Sequence, residues 1–76
     1  MGFNISKETL AKLREQYQKG TRVELLQLDD PHTNIPIGTK GTVRCVDDIG
    51  TIHVNWDTGS RLGVVYGEDA CRAIKE

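Results

Sequence analysis

Cys45, Cys71, His32, His53, Ser6 and Ser60 are the side chains with which this chain could attempt nucleophilic or general-base chemistry. A working nucleophile needs a base within hydrogen-bond reach and a third group that orients the base. Neither cysteine is close to a histidine in sequence, and the two serines stand at cap and turn positions. Alternation places Cys45 on a core face, and a small β-domain offers little cavity for a substrate. The expectation is a protein that is not an enzyme and has no catalytic residues. Cys45 and Cys71 also lack any CxxC spacing, so they signal neither a zinc knuckle nor a disulfide framework and read as two buried thiols.

Asp29, Asp30 and His32 carry oxygen and imidazole groups suited to a divalent ion. Two acids and a histidine in one loop fit turn capping and solvation better, so no metal and no cofactor is expected. Gly38 and Gly41 flank Lys40 without the longer glycine spacing and following helix that a phosphate cradle requires. Trp56 could stack on a base or a proline, but it continues the row of Ile52 and Val54 and reads as core. Tyr66, before Gly67, is less constrained and reads as a partly exposed hydrophobic contact.

Polar residues with no apolar purpose are the better candidates. If Asp47 to Gly50 turns the chain with Val46 facing Thr51, then Cys45 meets Ile52, Val43 meets Val54, and Arg44 meets His53 on the opposite face. In the next hairpin a type I turn over Asp57 and Thr58, with Gly59 left-handed, pairs Trp56 with Ser60, Val54 with Leu62 and Ile52 with Val64. A two-residue loop would instead bury Arg61 and Gly63. The resulting core face is Val43, Cys45, Ile52, Val54, Leu62 and Val64; the outer face is Thr42, Arg44, His53, Asn55, Arg61 and Gly63. Arg44, His53, Asn55 and Arg61, with Tyr66 beside them, are the expected partner-binding residues.

These residues must be positioned by a helix and several short strands. Ser6 is a favoured N-cap, with Ile5 before it and Leu10 four residues beyond at hydrophobic-staple spacing. Leu10, Leu13 and Tyr17 form an apolar stripe, Glu8 and Lys12 pair on the solvated side, and Gly20 marks the stop, predicting a helix over 7–19. From Thr21 the pattern changes to β-rich runs at Arg22 to Leu28, Gly41 to Val46, Thr51 to Trp56, Arg61 to Tyr66 and Cys71 to Ile74. Asp29 to Lys40 is the longest irregular piece, with Asp30-Pro31, Ile35-Pro36 and Gly38 resisting regular structure.

Composition bounds the rest. A chain of 76 residues, 37% hydrophobic and 28% charged, has room for one domain and one core. Ten Lys and Arg against eleven Asp and Glu give a net charge of -1, without the basic excess usual in nucleic-acid domains. Residues 1–20 carry Lys7, Lys12, Arg14 and Lys19 against Glu8 and Glu15, leaving six of the ten bases and nine of the eleven acids to residues 21–76. The helix is thus basic and the β part acidic. No apolar run approaches the roughly 20 residues of a membrane span, and no apolar signal core opens the chain, so a cytoplasmic monomer is expected. Met1 to Ser6 fits a myristoylation pattern and Asn4-Ile5-Ser6 a glycosylation sequon, but Ser6 is better used as a cap.

The run Ile35-Pro36-Ile37-Gly38-Thr39-Lys40-Gly41-Thr42-Val43, then Val54-Asn55-Trp56-Asp57-Thr58-Gly59-Ser60, then Gly67-Glu68-Asp69, resembles a small bacterial family known only as a domain of unknown function, of the kind found in Firmicutes and their mobile elements. The same segments are similar to turn and hairpin signatures of SH3-like barrels, including the KOW and Mind-bomb types. The resemblance implies a mostly β protein with one N-terminal α-helix, built as a small five-stranded antiparallel SH3-like barrel. It implies no activity. The leading expectation is a protein or peptide interaction module that uses the outer sheet face and the 29–40 loop. The alternative is a nucleic-acid accessory domain, motivated by the KOW-like pattern, Arg44, Arg61, Arg72 and the basic helix.

Overall fold

The structure, a computed structural model, describes residues 5–29 and 35–75. It is mostly β: helix α1 (Lys7–Gln16) is followed by β1 (Arg22–Gln27), β2 (Lys40–Val46), β3 (Thr51–Trp56), β4 (Gly63–Val65) and β5 (Ala70–Ala73). The strands form one five-stranded antiparallel sheet in the order β4-β3-β2-β1-β5.

The helix begins where the cap predicts. Ser6 Oγ accepts the Thr9 amide at 3.1 Å and donates to Thr9 Oγ1 at 2.8 Å, satisfying an otherwise orphaned N–H of the first turn. It ends earlier than Lys19. Tyr17 leaves helical geometry at φ −119°, and a further turn, closed by the Thr21 amide on the Gln18 carbonyl, carries the chain through Gly20 into β1. Leu13 of α1 and Tyr17 at its C-cap are buried in the core, and the Tyr17 hydroxyl donates to the Cys71 carbonyl at 3.2 Å, tying the end of α1 to β5.

Val23, Leu25, Val43, Ile52, Val54, Trp56 and Val64 complete the core. Burial of each is worth roughly 1.5–3 kcal/mol. Gly41 lies beneath this layer, where an added Cβ would stand 2.6 Å from Val54 Cγ1 and 2.8 Å from Trp56 Cε3, so the indole packs directly on backbone. Its Nε1–H donates to the Leu62 carbonyl at 2.8 Å. That bond, together with Ser60 Oγ accepting the Leu62 amide and the Val65 carbonyl accepting the amides of Glu68 and Asp69, uses the groups that would extend β4, which is shorter than the expected run.

The second hairpin has the predicted register, with Ile52 opposite Val64 and the Trp56 amide bonded to the Ser60 carbonyl. The first hairpin corrects the expectation. Val43 does face Val54, but Cys45 faces His53 and Val46 faces Ile52, because Arg44 is the extra residue of a β-bulge. The cause lies in the turn. The Asp47 amide bonds to the Thr51 carbonyl and the Gly50 amide to the Asp47 carbonyl, with Gly50 at φ +87°, which repeats the bonding of Trp56 through Ser60 with Gly59 at φ +97°. Both hairpins therefore use three-residue loops ending in a left-handed glycine. The shorter loop moves Val46 toward the core, and the bulge restores Val43 to it. Cys45 is exposed rather than a core residue, Val46 is half-buried in its place, and Leu62 is half-buried.

Among the described residues no helix is long and apolar enough to cross a membrane.

Candidate binding face

The face of the sheet turned away from α1 is polar, and its side chains fall into two groups. The first is locked in ion pairs. Arg22 donates to both Asp57 oxygens at 2.9 and 2.7 Å and to Thr42 Oγ1 at 3.0 Å, bracing β1 against β2 and the β3–β4 turn. This fork holds the Asp57 carboxyl below the usual aspartate range. Arg72 on β5 donates to Glu24 on β1 at 2.8 Å, directly across the register that pairs them. His53 Nε2 lies 2.9 Å from Asp47 Oδ2, while Asp47 Oδ1 accepts the amides of Ile49 and Thr51. Burial pushes the Asp47 carboxyl up, but the bonds from His53, Thr51 and Ile49 outweigh it, and the net effect is a lowered pKa.

The second group is Arg44, Asn55 and Arg61. All three are exposed, and among the described residues none of their side chains has a hydrogen bond or ion pair. Arg44 projects from the bulge, so that it and Cys45 together oppose His53; Asn55 faces Thr42 on β2, and Arg61 lies in the connection between Ser60, whose carbonyl accepts the Trp56 amide, and the start of β4 at Gly63. Arg44, His53 and Asn55 thus share the outer face of β2 and β3, with Arg61 exposed in the β3–β4 connection; Arg44 stands there as the bulge residue and not, as the alternation predicts, as the cross-strand partner of His53.

Tyr66 is not part of this group. It shares parity with Val64, and its side chain lines a cleft of about 280 Å³ between α1 and the β4–β5 segment, with Leu13, Tyr17, Ile52 and Cys71. Asp69 at that cleft accepts the amides of Asp29 and Val65, so its carboxylate holds strand ends together. Burial pushes the Cys71 thiol up to about 11, far from a thiolate at neutral pH. Trp56 is 3% exposed and takes no part in any surface.

Sequence reasoning did not find the Arg22–Asp57 and Arg72–Glu24 pairs or the exposure of Cys45. The matched glycines of Asp47-Asp48-Ile49-Gly50 and Trp56-Asp57-Thr58-Gly59 are the signal that would have revealed the first hairpin's true loop. Of the proposed metal loop, Asp30 and His32 lie outside the described residues, as do residues 1–4 of the two modification patterns; Asp29 uses its backbone amide to reach Asp69. No group of three or more His, Cys, Asp or Glu placed to hold a metal ion occurs among the described residues.

No curated protein and no solved structure matches the chain. A family model described as DUF4314, a domain of unknown function, matches residues 6–74, which takes in the helix, all five strands and the polar face, and the chain belongs to that family.

Proposed function

We infer that this protein is a non-catalytic binding module that engages a protein or peptide through the outer face of β2, β3 and the β3–β4 hairpin. The observation that carries the reading is the division of that face. Arg22, Arg72 and His53 are satisfied by Asp57, Glu24 and Asp47, whereas Arg44, Asn55 and Arg61 stand together in solvent with their hydrogen-bonding capacity unused among the described residues. A side-chain set of that kind suits recognition of polar groups on a partner. The strand order supports an SH3-like architecture, since β2, β3 and β4 form a meander and the last strand adds beside β1. Such small barrels serve many binding tasks.

The available nucleophiles favour binding over catalysis. Cys71 is held protonated by burial, and the imidazole opposite Cys45 is directed by Nε2 to Asp47. A nucleic-acid role is the weaker reading. Single strands are commonly held by exposed aromatic platforms, and the tryptophan of this sheet is in the core.

Amide shift mapping of the full chain against candidate partner proteins tests the assignment. The expected result is perturbation centred on Arg44, His53, Asn55 and Arg61. A response centred on any other surface refutes it.

A further inference from the structure

We propose that the outer face recognises an acidic peptide segment in extended conformation, with Arg44 and Arg61 each taking one carboxylate and Asn55 bonding the peptide backbone between them. The proposal rests on the reading of this face as the binding surface and adds the chemistry of the partner.

Charge complementarity is the first argument. The chain as a whole carries a net charge of -1, yet the acids of this face are already committed: Asp57 to Arg22, Glu24 to Arg72 and Asp47 to His53. Asp48, the next acid along the turn, is held by Arg14 at 2.6 Å. What remains for a partner among the described arginines of this face is the guanidiniums of Arg44 and Arg61, and a guanidinium fork binds a carboxylate with two parallel charge-assisted bonds.

Spacing is the second. Arg44 lies on β2 and Arg61 in the connection just before β4, and β2 and β4 are two apart in the order β4-β3-β2. Two inter-strand spacings of about 4.8 Å put their backbones on the order of 10 Å apart, the length of about three to four extended residues. Asn55 lies on β3 between them and carries both a donor and an acceptor, the pair that a peptide unit requires.

The same face disfavours a polyphosphate chain. Asp57, Glu24 and Asp47 interrupt the cations, so a backbone with a charge on every unit meets carboxylates, whereas a peptide can place its two acids where the arginines are. Among the described residues no large aromatic side chain lies in the Arg44–Asn55–Arg61 cluster for a base to stack on, Trp56 being buried and Tyr66 lining the cleft on the other side.

The test uses the full chain and three probes: a blocked nine-residue peptide with two aspartates four positions apart among serines and threonines, the same peptide with asparagines, and a twelve-nucleotide single-stranded DNA. The expected result is saturable, salt-sensitive shifts at Arg44, Asn55 and Arg61 with the aspartate peptide only. Affinity should fall about tenfold or more in the double variant Arg44→Gln/Arg61→Gln, which keeps the wild-type thermal midpoint, and be unchanged in Lys12→Gln. Equal binding of the asparagine peptide at the same residues would overturn the carboxylate inference while leaving the binding face in place. Shifts centred on the Leu13–Tyr66 cleft would overturn both. Binding of the DNA alone, or no response to the aspartate peptide at millimolar concentration, would overturn the proposal.

Discussion

Cys45 and His53 face each other across β2 and β3 on the outer side of the sheet, where an uninterrupted alternation would have turned the cysteine inward against Ile52. One extra residue, Arg44, produces this arrangement. The bulge lets a three-residue turn and a continuous core coexist, and it delivers an arginine, a thiol and an imidazole to one patch of surface. The candidate binding face is therefore a product of turn chemistry at Gly50 as much as of strand pattern.

Gly50 links that turn to the helix. Its φ of +87° is one that side chains rarely adopt, and a Cβ there would stand 2.8 Å from Ile5 Cδ1. Gly59 has the same backbone role in open space. Gly50→Ala should destabilise the protein by about 2–3 kcal/mol and Gly59→Ala by about 1 kcal/mol, the difference reporting the helix contact. Urea unfolding measures both. Adding Ile5→Ala should recover part of the loss at Gly50 and none at Gly59.

The helix is required for the fold through Leu13, which is 8% exposed within the core. Leu13→Ala should cost about 2–3 kcal/mol, and Leu13→Asp should unfold the domain, since it places a charge where no partner exists among the described core residues. Circular dichroism melts check this. A wild-type midpoint for Leu13→Asp would show that the helix does not dock as described.

Asp47 makes the first hairpin sensitive to acid. Its folded pKa is below the ordinary value of 3.8, so its stabilising contribution is complete above that value and is lost as pH falls through the lower folded pKa. Asp47→Ala should cost about 1 kcal/mol at neutral pH, the exposed part of the interaction being screened by water, and the gap to wild type should narrow as pH falls below 3.8. Denaturant melts from pH 2 to 7 measure the gap; a constant one would contradict the sign of the shift.

Local signals made the helix start, the second hairpin and most of the core legible in the sequence. Ser6 supplies the cap, Gly59 fixes the loop, and the alternation of Ile52, Val54 and Trp56 holds in the structure. The bulge at Arg44 was hidden because a bulge has no residue signature of its own; it follows only once the loop before Thr51 is known to be three residues long. The ion pairs of Arg22 with Asp57 and Arg72 with Glu24 join residues 35 and 48 positions apart, across pairings whose register depends on the whole sheet. They neutralise Arg22 and Arg72, which is why alternation shows which residues leave the core without showing which of the outer cations are available.

Thiol reactivity measures the parity of β2 most directly. Cys45 is exposed on the outer face, and Cys71 is half-buried with its thiol pushed up to about 11. Ellman's reagent at pH 7.5 should consume one thiol rapidly in the native protein, mapped by peptide mass analysis to Cys45, and reach Cys71 only when denaturant is added. A Cys45 that reacts no faster than Cys71 and is released only by unfolding would mean that the strand runs without its bulge, with the cysteine inside and the face around Arg44 wrongly drawn.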